Sequence, residues 1–114
     1  MEQKNKITSL QELIEWVDSR ERCYVSEQDD DYFCIEAPNN ADISVNIEED
    51  DTIEDIVART IEHLRDFEAD ERFTEWWSAD FAKHNGFSPS QFLRMLQEDE
   101  ASFRELADNL EETR

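Results

Sequence analysis

Carboxylates are the side chains of this chain with the most chemistry to offer, and two runs concentrate them: Asp29-Asp30-Asp31 and Glu48-Glu49-Asp50-Asp51. Dense acids of this kind can ligate calcium, act as acid-base pairs, or stand in for the charges of another polyanion. Neither run matches the calcium-loop pattern D-x-[DN]-x-[DN]-G with its terminal Glu. With 31 acidic residues in the chain, pairs close enough for general acid-base work are inevitable and carry no specific signal. Other reactive groups are few. His63 and His84 are isolated, HExxH is absent, and Cys23 and Cys34 are separated without a CxxC, which predicts free structural thiols. The single glycine, Gly86, cannot build a phosphate-cradling loop of the P-loop or dinucleotide kind. The sequence therefore predicts no catalytic residue, no metal and no cofactor, and the chain is not expected to be an enzyme.

The total charge is the stronger signal. A formal net charge of -20 arises from 31 acidic against 11 basic residues. It is uneven, with 17 acidic and 4 basic residues before position 58. Self-repulsion at this density destabilises a compact monomer, so a function that uses the charge is expected. A folded chain of this mass exposes roughly 6,500 Å², which gives about one net charge per 330 Å² against about one per 110 Å² for a B-DNA cylinder. If most of the excess lay on a third to a half of the surface, the local density would approach that of a duplex. Alternate strand residues, and helix residues three or four apart, also space carboxylates roughly 6 to 7 Å from one another. Phosphate mimicry is thus physically feasible.

The elements that must position these acids are legible in outline. Ser9-Leu10-Gln11-Glu12 has the form of a capping box, and Leu10, Leu13, Ile14 and Val17 carry a first helix to about Arg20. Strand character follows at 22–27, 32–37 and 42–48, the last alternating Ile43, Val45 and Ile47 with polar residues. Short connections make an antiparallel meander the simplest pairing. With Val25 opposite Phe33, the core face would hold Cys23, Val25, Phe33, Ile35, Ile43, Val45 and Ile47, and the other face Tyr24, Tyr32 and Cys34. A second box at Asp51-Thr52-Ile53-Glu54 opens a helix with the stripe Ile53, Ile56, Val57, Ile61 and Leu64. A third is expected from Asp70, with Phe73, Trp76, Trp77 and Phe81, ending at Gly86. Ser88 then caps a further helix, with Pro89 at its first position and Phe87 stapled to Phe92. The acidic triplet Glu98-Asp99-Glu100 breaks its stripe, leaving one long helix or two. The expectation is a single α+β domain spanning 1–114: an N-terminal helix, a three-stranded antiparallel meander, then three or four helices. No apolar run is long enough for a signal peptide or a membrane span, which predicts a cytoplasmic protein.

This order of elements in a short and very acidic chain resembles the small anti-CRISPR proteins of phages and mobile elements, and most closely a type II inhibitor that occupies the DNA-binding site of an RNA-guided nuclease. The resemblance spans about residues 9–67 and rests on Leu13-Ile14, Cys23-Tyr24-Val25 and Glu48-Glu49-Asp50-Asp51-Thr52-Ile53, together with layout and charge. The segment from Phe87 to Leu96 also looks like proteins of Gram-positive mobile elements. The resemblance implies an acidic DNA mimic whose carboxylates take the places of phosphates and base-edge acceptors. Its partner would be a basic nuclease, with no direct binding to nucleic acid or membrane. It points to Asp29, Asp30, Asp31, Glu48, Glu49, Asp50 and Asp51, flanked by Tyr24 and Tyr32, as the partner-binding surface. An immunity protein or antitoxin that neutralises a basic toxin is the competing expectation, since it too sets acid against base.

Overall fold

The computed structural model describes residues 7–78 and 86–114. Among them the order is α1 (Leu10–Asp18), β1 (Tyr24–Gln28), β2 (Tyr32–Glu36), β3 (Asp42–Asn46), α2 (Ile53–Asp66), α3 (Ala69–Trp76) and α4 (Pro89–Glu111). This is the expected α+β arrangement, a helix and an antiparallel three-stranded sheet followed by helices.

Local chemistry explains where the helices begin. Ser9 Oγ accepts the Glu12 N–H at 3.1 Å, while the Glu12 carboxylate reaches one residue beyond the cap to the Thr8 N–H at 2.7 Å. Bonds from the Thr8 hydroxyl and then its N–H hold the Glu12 carboxyl below the usual carboxylate range. The helix stops at Asp18, short of Arg20, because the Ser19 hydroxyl donates to Trp16 O at 2.6 Å and the Arg20 N–H turns back to Val17 O at 3.0 Å. In α2 the capping box sits one residue later than expected: Thr52 and Asp55 exchange side-chain and backbone bonds, both 3.1 Å. α4 starts as predicted, with Ser88 Oγ accepting the Gln91 N–H, Pro89 at N1, and the Phe87 ring stacked on Phe92.

The sheet runs β1-β2-β3, antiparallel throughout. β2 and β3 pair in the register that puts Phe33 against Val45 and Ile35 against Ile43. β1 departs from expectation: Val25 lies opposite Ile35, not Phe33, and the register shifts between Val25 and Glu27. A slip of two residues leaves Val25 on the core face. The bulge then lets Glu27 oppose Cys34. Away from the sheet, the Val25 N–H donates to Asp18 Oδ1 at 2.8 Å, tying β1 to the end of α1.

Leu13, Val17, Phe33, Ile35, Val45, Leu64, Phe67, Phe103 and Leu110 form the centre of a single buried core between the sheet and α1, α2 and α4. The opposite sheet face is open, with Tyr24, Asp42, Ser44 and Asn46 exposed. α3 ends at Trp76, so Trp77 lies past the helix, although its ring stacks on Phe73 and meets Phe92. Phe81 lies outside the described residues. Gly86 does take a left-handed backbone, with φ of 69°.

One continuous helix of 23 residues, about 35 Å long, spans the acidic triplet. The triplet is not a break. Asp99 has no exposed surface, and its two oxygens accept the backbone N–H groups of Asn39 and Ala41, both at 3.0 Å. Asn39 returns its amide to Met95 O at 3.1 Å and to the Glu98 carboxylate at 3.0 Å. Glu100 accepts the Ala69 N–H at 2.9 Å, at the start of α3, and Arg104 donates to Phe67 O at 2.8 Å. The triplet thus fastens the β2–β3 turn and the α2–α3 junction onto α4. Burial pushes the Asp99 carboxyl above its ordinary value, against the opposing effect of the backbone bonds.

Two outcomes follow. Asp99→Ala strands two N–H groups of the β2–β3 turn and should cost about 3 kcal/mol in urea unfolding, whereas Glu98→Gln should stay within about 0.5 kcal/mol. Cys23 and Cys34 are both free. Cys23 is buried on the core face, and burial, with Asp99 and Glu105 adding to it, pushes its thiol up to about 11. Cys34 is half-buried on the open face. At pH 8 a thiol reagent should therefore label one cysteine in the native chain and two once urea unfolds it.

Candidate functional site

The two acidic runs are far apart in sequence and adjacent in space. Asp29 to Asp31 form the tip of the β1–β2 hairpin, closed by the Asp29 N–H to Tyr32 O at 2.8 Å and by Asp29 Oδ1 accepting the Asp30 N–H at 2.7 Å. As the chain leaves β3, the Ile47 N–H donates to Asp31 O at 2.8 Å, which pins the second run beside that tip. The segment Glu48–Asp51 then turns on itself, with Asp51 N–H to Glu48 O at 3.1 Å and Glu48 N–H to Asp51 Oδ2 at 2.7 Å. Between the runs lies an open groove of about 530 Å³, bordered by Asp30, Asp31, Glu48, Glu49 and Asp51. Its apolar lining is Leu10, Ile47, Ile53 and Ile56, the first three half-buried.

The acids do not share one role. Asp29, Asp30, Asp31, Glu48, Glu49 and Asp50 are exposed, and among the described residues none of them forms an ion pair. Asp51 is different. Its side chain is only 7% exposed and is held by Arg59 through two bonds, Nη1 to Oδ2 at 2.6 Å and Nη2 to Oδ1 at 3.1 Å. Arg59 also donates to Asn46 O at 2.7 Å. The guanidinium, and then the Glu48 N–H, hold the Asp51 carboxyl below the usual range. Asp51 is therefore the internal fastening of the loop that presents Glu48, Glu49 and Asp50.

Carboxylate oxygens of Glu48, Asp50 and Asp51 lie within 4.8 Å of one another. A cation there would have to compete with Arg59 for Asp51, so these residues are poorly arranged to hold one.

The tyrosines occupy separate positions. Tyr32 begins β2 beside the acidic tip, and its hydroxyl donates to the Glu27 carboxylate. Tyr24 begins β1, about 16 Å of strand away from Asp29, and donates to Glu36 Oε2 at 2.8 Å, directly across the ladder. Both phenols are pushed up, first by the hydrogen bond to the glutamate, Tyr32 to about 12. The structure thus brings Tyr32 to the acidic end and leaves Tyr24 at the other end of the open sheet face. Sequence reasoning missed Arg59 and the aliphatic lining. The available signal was a basic residue two turns into α2, eight positions after Asp51.

Arg59→Gln should lower the urea midpoint at neutral pH and return the Asp51 carboxyl toward its ordinary value. A depressed carboxylate contributes stability that is fully present above its unfolded pKa, about 3.9, and lost as pH falls through the lower folded value. The midpoint difference between the parent and Arg59→Gln should therefore be largest at pH 7 and shrink below pH 4.

No family model, no curated protein and no solved structure matches this chain.

Proposed function

We propose that this chain is an acidic inhibitor that occupies the nucleic-acid groove of a basic protein, with bacterial defence nucleases, RNA-guided ones first, as its targets. The observation that supports this reading is the meeting of the two acidic runs at one end of the fold. Six exposed carboxylates, Asp29 to Asp31 and Glu48 to Asp50, share that end without an ion-pairing cation among the described residues. Clustering raises the local charge density above the even-spread average, which by itself falls short of a duplex. A groove rich in Arg and Lys gains charge-assisted hydrogen bonds from such an array. A chain of net charge -20 repels nucleic acid itself.

Competition for one groove requires an order-of-addition effect. In a cleavage assay with a purified RNA-guided nuclease, inhibition should be strong when the chain precedes DNA and weak once the duplex is bound. Replacing Asp29, Asp30 and Asp31 by Asn, or Glu48 and Glu49 by Gln with Asp50 by Asn, should weaken binding at least about tenfold, about 1.4 kcal/mol, and flatten its salt dependence. Asp51 is left intact in both variants so that the loop keeps its fastening. Equal inhibition by parent and variants at every salt concentration would overturn the proposal, as would a mixed pull-down that recovers a basic toxin and no nuclease.

A further inference from the structure

The groove between the acidic runs differs from a solvated acidic surface in having an apolar floor. Leu10 at the first position of α1, Ile47 just past β3 and Ile53 at the first position of α2 each remain half-buried, and Ile56 closes the groove beneath them. Above this floor stand Asp30, Asp31, Glu48 and Glu49, all exposed. DNA offers no such combination, because its phosphates are displayed on a hydrated backbone.

Lysine and arginine are the side chains with the complementary build. Each carries an apolar stem of three or four methylenes and a charged head, and each gains most where the stem lies on hydrocarbon while the head meets oxygen. The fold already sets one basic head group on the acids at the border of this groove: Arg59 extends from α2 and places its guanidinium on Asp51 and on Asn46 O. The other bordering acids have no such cation among the described residues.

We infer that this groove receives long basic side chains of the partner protein, their stems on Leu10, Ile47 and Ile53 and their heads on Asp30, Asp31, Glu48 and Glu49. The inference rests on the binding role proposed above and specifies its chemistry. Recognition depends on stem as well as charge, so a partner segment rich in long basic side chains is preferred over an equally charged one with short arms. Binding then has two separable parts. The ionic part falls with salt, and the stem contact persists.

The test uses the full chain carrying 13C-labelled isoleucine δ1 methyl groups, titrated near pH 6.5 with octalysine and with an eight-residue peptide of 2,4-diaminobutyric acid, which has the same charge on shorter arms. Octalysine should bind several-fold more tightly and shift the Ile47 and Ile53 methyl signals. Ile53→Ser should weaken octalysine several-fold with little change in salt slope, and the Asn and Gln variants of the acidic runs should reduce the slope. Equal affinity for the two peptides, or amide shifts in the acidic runs with both methyl signals unmoved, overturns the inference. So does an absence of binding by either peptide at low salt. Because the methyl readout is made on the unmodified chain, it holds whether or not Ile53→Ser folds. The cleavage assay is independent. Inhibition that persists when octalysine ignores the groove removes only this inference, and groove binding without nuclease inhibition removes only the proposed target.

Discussion

Asp99 sits in the middle of the longest helix with no surface in water, and the turn between β2 and β3 closes on it through two backbone N–H groups. Burying a carboxylate is costly unless its oxygens are satisfied, and here two donors that would themselves be left without partners supply the compensation. The rest of the arrangement depends on this exchange. It fastens the β2–β3 turn to α4, and so anchors one end of the sheet from which the acidic hairpin projects. Glu98 and Glu100, either side of it, extend the fastening to Asn39 and to the start of α3. Three adjacent acids thus join elements that the hydrophobic core alone would hold only without direction.

In a chain of this charge the acids therefore divide by job. Asp99 and Asp51 are sequestered and bonded, the first by backbone donors and the second by a guanidinium. Glu12 and Asp55 serve helix ends. Asp29 to Asp31 and Glu48 to Asp50 are the ones whose exposure at one end leaves them available. The distinction matters for mutagenesis: neutralising Asp51 would loosen the loop that carries its neighbours and confuse loss of charge with loss of shape.

Features governed by short-range rules were legible in the sequence. The Ser88 cap with Pro89 and the Phe87–Phe92 staple, the alternation of β3, the stripe of α2 and the meander order all follow from residues a few positions apart. What failed needed information from elsewhere in the chain. A polar residue in an apolar stripe looks like an interruption until its distant donors are known, and the triplet Glu98-Asp99-Glu100 in α4 is such a case. β1 lies two residues out of the expected register, and its bulge near Ser26 adds an extra residue that no periodicity announces. The second capping box starts at Thr52, one residue after the expected Asp51, whose side chain is bonded instead to Arg59 and to the Glu48 N–H. Of the candidate site, both acidic runs were identified, but their meeting, the aliphatic floor and the separation of Tyr24 from Tyr32 came only with the tertiary fold.

The bulge in β1 and the bond from Val25 N–H to Asp18 bear on how the molecule can be approached. A free sheet edge ordinarily offers a ladder of unpaired donors and acceptors onto which another strand can add. Here one outward donor is already occupied by a side chain of α1, and the extra residue at the bulge throws the remaining groups out of step with any regular incoming strand. Both features disfavour strand addition along β1, for a second copy and for a peptide alike. Along this edge, contact with other molecules falls to side chains, whose specificity is written in charge and shape and not in backbone hydrogen bonds.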